Sequence, residues 1–259
     1  MNDLIYPDWK VPSFVRAIQT SKKGGYSVGN NSGKFNLSQN VEDEYSSANS
    51  NINQLKDKLP NDITWIEQVH GKKVIQLPIN RSSNEADACY SKDKNVICAV
   101  RTADCLPILM TDIKGTFVSA IHAGWRGLGM GIIESSINKI NSPNDLIVWL
   151  GPCISQENFE VGRDVYKFFY KYDKKSISAF IERPNGKFIL SLTKAAEIKL
   201  KSLGVPFIYG NGTTQNFCTF NDIDKFYSYR RDALTGRMAV SYTHLRAHET
   251  PEHLGRRLV

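Results

Sequence analysis

Asn95-Val96-Ile97-Cys98-Ala99-Val100-Arg101, Thr102-Ala103-Asp104-Cys105 and Leu106-Pro107-Ile108-Leu109-Met110-Thr111 follow one another without a break. Two apolar runs of strand length, rich in Val, Ile and Leu, are parted by a polar insertion, which predicts two buried strands with a functional or turning segment between them. Downstream, Thr116 to Ile121 reads as a further strand ending at His122-Ala123-Gly124, and Trp125 to Ile140 carries a helical pattern. Leu146 to Leu150 is another apolar strand running into Gly151-Pro152. Upstream, Ile63 to Val69 and Lys73 to Leu77 read as strands joined by a turn at Gly71. Val41 to Leu59 is predicted as a helix, with Ile52, Leu55 and Leu59 at helical spacing and Pro60 as its stop. Lys22 to Asn36 is a glycine- and asparagine-rich loop, and Val11 to Thr20 a loose strand. The last third adds helices at Arg163 to Tyr170 and Leu192 to Leu203 and a strand at Lys225 to Arg230. Strands and helices mix rather than alternate strictly. This predicts an α+β fold, a layered α/β sandwich with mixed sheets, over a doubly wound one. No repeat or low-complexity linker divides the chain, so one domain over residues 1–240 is expected.

Composition narrows the class. The 259 residues are 41% hydrophobic and 23% charged, ordinary for a soluble globular protein. No apolar run reaches membrane-spanning length, and Met1 to Lys10, with Asp3 and Asp8, lacks the build of a signal peptide. A cytoplasmic location without a membrane partner is the expectation. The net charge of +7 is spread in short clusters, Lys22-Lys23 and Lys171 to Lys175, without aromatic interleaving, which points to a solvated basic surface and away from nucleic acid. Five cysteines, an odd and scattered set, fit a reducing compartment; Cys89, Cys98, Cys153 and Cys218 are read as buried or incidental.

The histidines are the informative residues. Of the five, His244, His248 and His253 fall in an atypical tail, leaving His70 in Val69-His70-Gly71 and His122 in Ile121-His122-Ala123-Gly124, each where a predicted strand runs into a glycine. Cys105 occupies the polar break between two strands. Imidazole and thiolate suit zinc, and three protein ligands leave a fourth position open, as in a catalytic site. On spacing alone, two histidines and a cysteine in a chain of this size are more often core or surface residues. Asp104 is a candidate member of the catalytic group with Cys105 and His122, orienting a ligand as a hydrogen-bond acceptor behind it, or else a cap for the strand break. Arg126 is expected at a helix start making packing contacts.

Three segments carry a resemblance: Trp65-Ile66-Glu67-Gln68-Val69-His70-Gly71, Arg101-Thr102-Ala103-Asp104-Cys105-Leu106-Pro107 and His122-Ala123-Gly124-Trp125-Arg126-Gly127. They resemble the signature segments of the YfiH family, whose members have been called polyphenol oxidase (laccase), peptidoglycan editing factor and purine nucleoside phosphorylase. Further matches run from Val11 to Met238 and include Phe35-Asn36-Leu37-Ser38 and Gly151-Pro152-Cys153-Ile154. The resemblance implies a zinc ion held by His70, Cys105 and His122. It also implies phosphorolysis of adenosine, inosine and methylthioadenosine, with some adenosine deamination. Nucleoside and phosphate are then the partners. Asn36 and Arg230, lying in matching segments, are candidate substrate contacts, against structural roles in a turn and a salt bridge.

Two other chemistries fit the same residues. One is hydrolytic removal of wrongly incorporated amino acids from peptidoglycan precursors. The other is a metal-free pair in which Cys105 is nucleophile and His122 its base. A multicopper oxidase is excluded by the histidine inventory, although copper competes with zinc for such ligands. Beyond Ala239 the resemblance stops. Residues 241–259 have no helical or strand period, are broken by Pro251 and resemble translated sequencing-adaptor read-through, so they are read as a non-native tail.

Overall fold

The two apolar runs become strands of two different sheets in the computed structural model, which describes residues 3–28, 34–39, 41, 43–79, 83–140 and 143–244. Strands β1 (Leu4–Ile5) and β2 (Val15–Thr20) precede helix α1 (Tyr45–Lys56). Then come β3 (Val74–Gln76), β4 (Ala88–Ser91), β5 (Cys98–Thr102), β6 (Leu106–Asp112) and β7 (Val118–Ala123). Helices α2 (Trp125–Met130) and α3 (Ile132–Ile140) follow, then β8 (Leu146–Leu150), β9 (Glu160–Val161) and α4 (Arg163–Tyr172). The remaining elements are β10 (Phe180–Glu182), β11 (Phe188–Leu190), α5 (Leu192–Ser202), β12 (Phe207–Gly210), the short α6 (Tyr229–Asp232) and β13 (Met238–His244).

Six strands form the central sheet in the order β12-β8-β6-β7-β4-β3, with the β12–β8 and β3–β4 pairs parallel and the rest antiparallel. A second sheet has the order β1-β2-β13-β5, and a small third one β10-β11-β9. Every residue of β6, β7 and β8 is buried, as continuous apolar runs require. One face of the central sheet packs on α2, α3, α4 and α5 through Leu128, Ile133, Phe169 and Leu200; the other packs on the second sheet through Cys98, Val100, Leu109, Val240 and Tyr242. The outer face of the second sheet is covered by α1 and the Phe35–Leu37 segment. The result is a single mixed α/β domain of layered, mixed sheets.

The expected helix from Trp125 to Ile140 is two helices. Gly131 closes α2 in the left-handed region at φ 91°, and α3 begins at the next residue, Ile132. No strand forms at Lys225 to Arg230, where turns lead into α6. The predicted strand Ile63 to Val69 survives only as isolated bridges, Ile63 to Ile97 and Glu67 to Glu85. The stretch beyond Ala239 also departs from expectation. Ser241 to His244 complete β13, which lies between β2 and β5 with all seven residues buried; residues 245–259, including His248 and His253, lie outside the described residues. Among the described residues no helix is long and apolar enough to cross a membrane.

Candidate metal centre

His122 is the next-to-last residue of β7, buried at 3% exposure, so it projects from within a strand and not from beyond its end. The β6–β7 register pairs Leu106 with Ala123, and one step further Cys105 comes level with Gly124. His70 arrives from the opposite side on an exposed turn, with φ at 60°, a conformation few non-glycine residues adopt. The turn is held by one carboxylate. Asp87 accepts hydrogen bonds from the backbone N–H of Val69 (3.3 Å), His70 (2.9 Å) and Gly71 (2.6 Å). The same Asp87 lies 2.8 Å from His122 Nδ1. One buried acid thus orients two histidines 52 positions apart in the chain (122 − 70 = 52) and leaves His122 Nε2 as its outward nitrogen.

The ligand atoms of His70, Cys105 and His122 lie within 4.8 Å of one another, and the two imidazole rings meet edge-on with centroids 4.8 Å apart. Separations within that bound suit three ligands gathered around one ion. The set is borderline-soft, tightly grouped and backed by a carboxylate, and it fits a metal ion. It is the one such group of three among the described residues. Glycines make the convergence spatially feasible. A Cβ at Gly124 would stand 3.0 Å from Cys105 Sγ and 3.2 Å from His70 Cδ2, and one at Gly127 only 2.8 Å from the Gly71 carbonyl oxygen.

Electrostatics favour a thiolate at Cys105 beside a protonated imidazole at His122, and binding of a metal ion would release the His122 proton. Burial alone pushes the Cys105 thiol up, but the adjacent His122 and His70 outweigh it and bring it down to about 6. Burial alone pushes His122 down, but the Cys105 thiolate and Asp87 raise it to about 9. Burial likewise opposes ionisation of Asp87, yet its hydrogen bonds from His122 and the Gly71 and His70 amides hold it below the ordinary carboxylate range.

The three ligand residues line a cleft of about 630 Å³, within the range of small-molecule sites. Its walls include Ile66, Trp125, Phe159 and Tyr229, and its cations are Arg101, Arg126, Arg230 and Arg237. Arg230 sits exposed at the mouth, with Nη1 donating to the Glu160 carbonyl oxygen at 2.9 Å and its guanidinium 5.0 Å from the Phe159 ring. Arg126 lies over Trp125 at 4.4 Å.

Two candidates are engaged elsewhere. Asp104, buried at φ 86°, spends both carboxylate oxygens on Thr219 Oγ1 (2.6 Å), Ser228 Oγ (3.1 Å) and the Arg230 backbone N–H (2.7 Å). It braces the cleft wall, and the acid placed on a ligand histidine is Asp87. Asn36 is fully buried away from the cleft. Its amide donates to the Ser38 carbonyl and Asp43, and accepts from the backbone N–H of Ser38 and Arg237, so no polar atom remains for a substrate. Asp87 was not legible as a site residue, although a lone acid in Ala86-Asp87-Ala88-Cys89 is a signal, since buried acids need partners. Of the remaining cysteines, Cys89, Cys98 and Cys153 are buried and Cys218 is half-buried.

Residues 16–243 match a family model described as multi-copper polyphenol oxidoreductase laccase, reaching past the point where the resemblance was expected to stop. A Haemophilus influenzae protein named purine nucleoside phosphorylase is 42% identical over 242 residues, covering 91% of this chain and 96% of its own. The Escherichia coli purine nucleoside phosphorylase YfiH is 38% identical over 243 residues, covering 92% and 98%. A Neisseria meningitidis crystal structure superposes with a TM-score of 0.85 at 36% identity, covering 94% of this chain and 99% of that one. Sequence, fold and the His-Cys-His cluster agree: the chain belongs to the YfiH family.

Proposed function

We propose that this chain is a zinc-dependent purine nucleoside phosphorylase of the cytoplasm, splitting adenosine, inosine or methylthioadenosine with phosphate into free base and ribose 1-phosphate. The observation that carries this reading is the three-ligand His70, Cys105 and His122 group opening onto an arginine-lined cleft, in a chain whose relatives carry that name. In the reaction a phosphate oxygen bonds to ribose C1′ as the C1′–N9 bond breaks, and the leaving purine takes its electron pair and a proton. Trp125, Phe159 and Tyr229 offer flat apolar surface for the purine, and Arg230 at the mouth is placed to bind ribose or phosphate oxygens. Asp87 keeps His122 in the tautomer that turns Nε2 outward. When bound, zinc supplies Lewis-acid polarisation of a substrate oxygen or, for the adenosine deamination included in this proposal, an activated water.

The test is release of free base from adenosine by metal-replete protein, with and without phosphate, beside a His122→Ala control, with ammonia followed in parallel. Release that requires phosphate and disappears in the variant is the expected result. Bound zinc with no base in either condition turns the assignment toward peptidoglycan editing. Full activity in metal-free protein turns it toward a Cys105 nucleophile.

A further inference from the structure

Arg101 is the penultimate residue of β5, and Arg237 stands one position before β13. The antiparallel register pairs Arg101 with Ala239. Side chains alternate along a strand, so Arg237, two positions before Ala239, belongs to the same face as Arg101. Diagonal neighbours of this kind lie about 7–8 Å apart. Both arginines line the cleft that holds Cys105 and His122. The two guanidiniums are largely withdrawn from water, which pushes Arg101 down to about 10 and lowers Arg237 as well.

Neither has a carboxylate partner among the described residues. The Arg101 guanidinium carbon lies over the Trp65 ring, 3.8 Å from its centroid, and its Nε is buried without a hydrogen bond. Its backbone is clamped by the Gln68 side chain, which accepts from Arg101 N–H at 2.8 Å and donates to its carbonyl at 2.9 Å. Arg237 commits Nη1 to the carbonyl oxygens of Thr235 (2.7 Å) and Gly236 (3.1 Å). The nearby Asp104 is saturated by Thr219, Ser228 and Arg230. Two like charges, partly desolvated, rigidly held and unpaired, are a costly arrangement that a shared anion relieves. A planar fork of N–H donors fits a tetrahedral oxyanion.

We infer that Arg101 and Arg237 form the subsite for inorganic phosphate, beside the metal ligands; this rests on the phosphorylase reading for the identity of the anion. Arg101 supplies a preset donor edge and Arg237 the second arm, so that phosphate binds on the β5–β13 side of the cleft.

The test is titration of metal-replete protein with inorganic phosphate, followed by tryptophan fluorescence, for wild type, Arg101→Gln and Arg237→Gln, with metal content checked in each. Saturable binding in wild type, weakened about tenfold or more in the variants at unchanged metal content, is expected. The KM for phosphate should rise in parallel while the KM for nucleoside stays within about twofold. Should Arg101→Gln fail to fold, Arg237→Gln and the wild-type titration decide. Absence of saturable phosphate binding in wild type, or wild-type affinity in the variants, overturns the subsite. Tight adenosine monophosphate binding that phosphate does not displace also overturns it, in favour of a phosphate-ester site. If phosphate binds through both arginines but no nucleoside is split, the oxyanion site stands and the phosphorylase reading falls. If base is released with an unchanged phosphate KM in the variants, the reverse holds.

Discussion

At Cys105 and His122 a half-buried thiol and a buried imidazole shift each other in opposite senses. Taken singly, the depressed Cys105 stabilises the folded state above its ordinary thiol range, and this is lost as pH falls through about 6. The raised His122 stabilises it below the ordinary imidazole range, and this is lost as pH rises through about 9. Together, the folded pair sheds its protons near 6 and 9, and the unfolded pair near 6.5 and 9.0. The proton counts almost match, so the pair contributes little pH dependence of stability across that window; folding moves the proton from sulfur to imidazole. Metal-free protein is therefore expected to show thiolate ultraviolet absorbance at neutral pH that fades as pH falls through about 6. In His122→Ala the transition should move toward the ordinary thiol range. A wild-type thiolate that appears only above about pH 8 contradicts this. The same scale shows where polar residues mislead. Asn36 and Asp104 stand in segments that carry the resemblance, yet their side chains serve backbone and polar groups of their own fold. A sequence names the donor and the acceptor but not the direction in which they point.

Among the elements, α2 sets how closely the His70 turn approaches β7. Gly127 faces the Gly71 carbonyl oxygen so closely that an added Cβ would stand 2.8 Å from it. Gly127→Ala is expected to push the His70 turn away from Cys105 and His122, costing about 1–3 kcal/mol of stability, as overpacking does. Metal retention against a chelator should weaken as well; thermal unfolding and chelator competition check both effects. Element types were largely legible: α1, α4, α5, β6 and β8 fall where periodicity and apolar runs put them. Elements of few residues were not. β9 to β12 carry two to four residues each, too few for a period to register, and Lys225 to Arg230 has strand composition without a strand partner.

For the molecule as a whole, β13 is the strand that closes the second sheet, joined to β2 on one side and β5 on the other. Ending the chain at Ala239 would remove Val240 and Tyr242 from the core between the sheets and leave β2 without its β13 ladder. Tyr242→Ala alone is expected to cost about 3–5 kcal/mol. The truncation should exceed that and abolish cooperative unfolding in a domain whose whole margin is about 5–15 kcal/mol. A truncated chain with wild-type melting would refute the role given to β13. The sequence by itself determined the mixed α/β class, the single domain and the three ligand candidates, because apolar period and the scarcity of histidine are properties of the string. Only the tertiary structure decided that Asp87 holds His70 and His122, that Arg101 and Arg237 share a face, and that Ser241 to His244 form a core strand. Each of these depends on strand pairing between residues far apart in the chain, and local sequence does not specify which distant backbone will supply the partner.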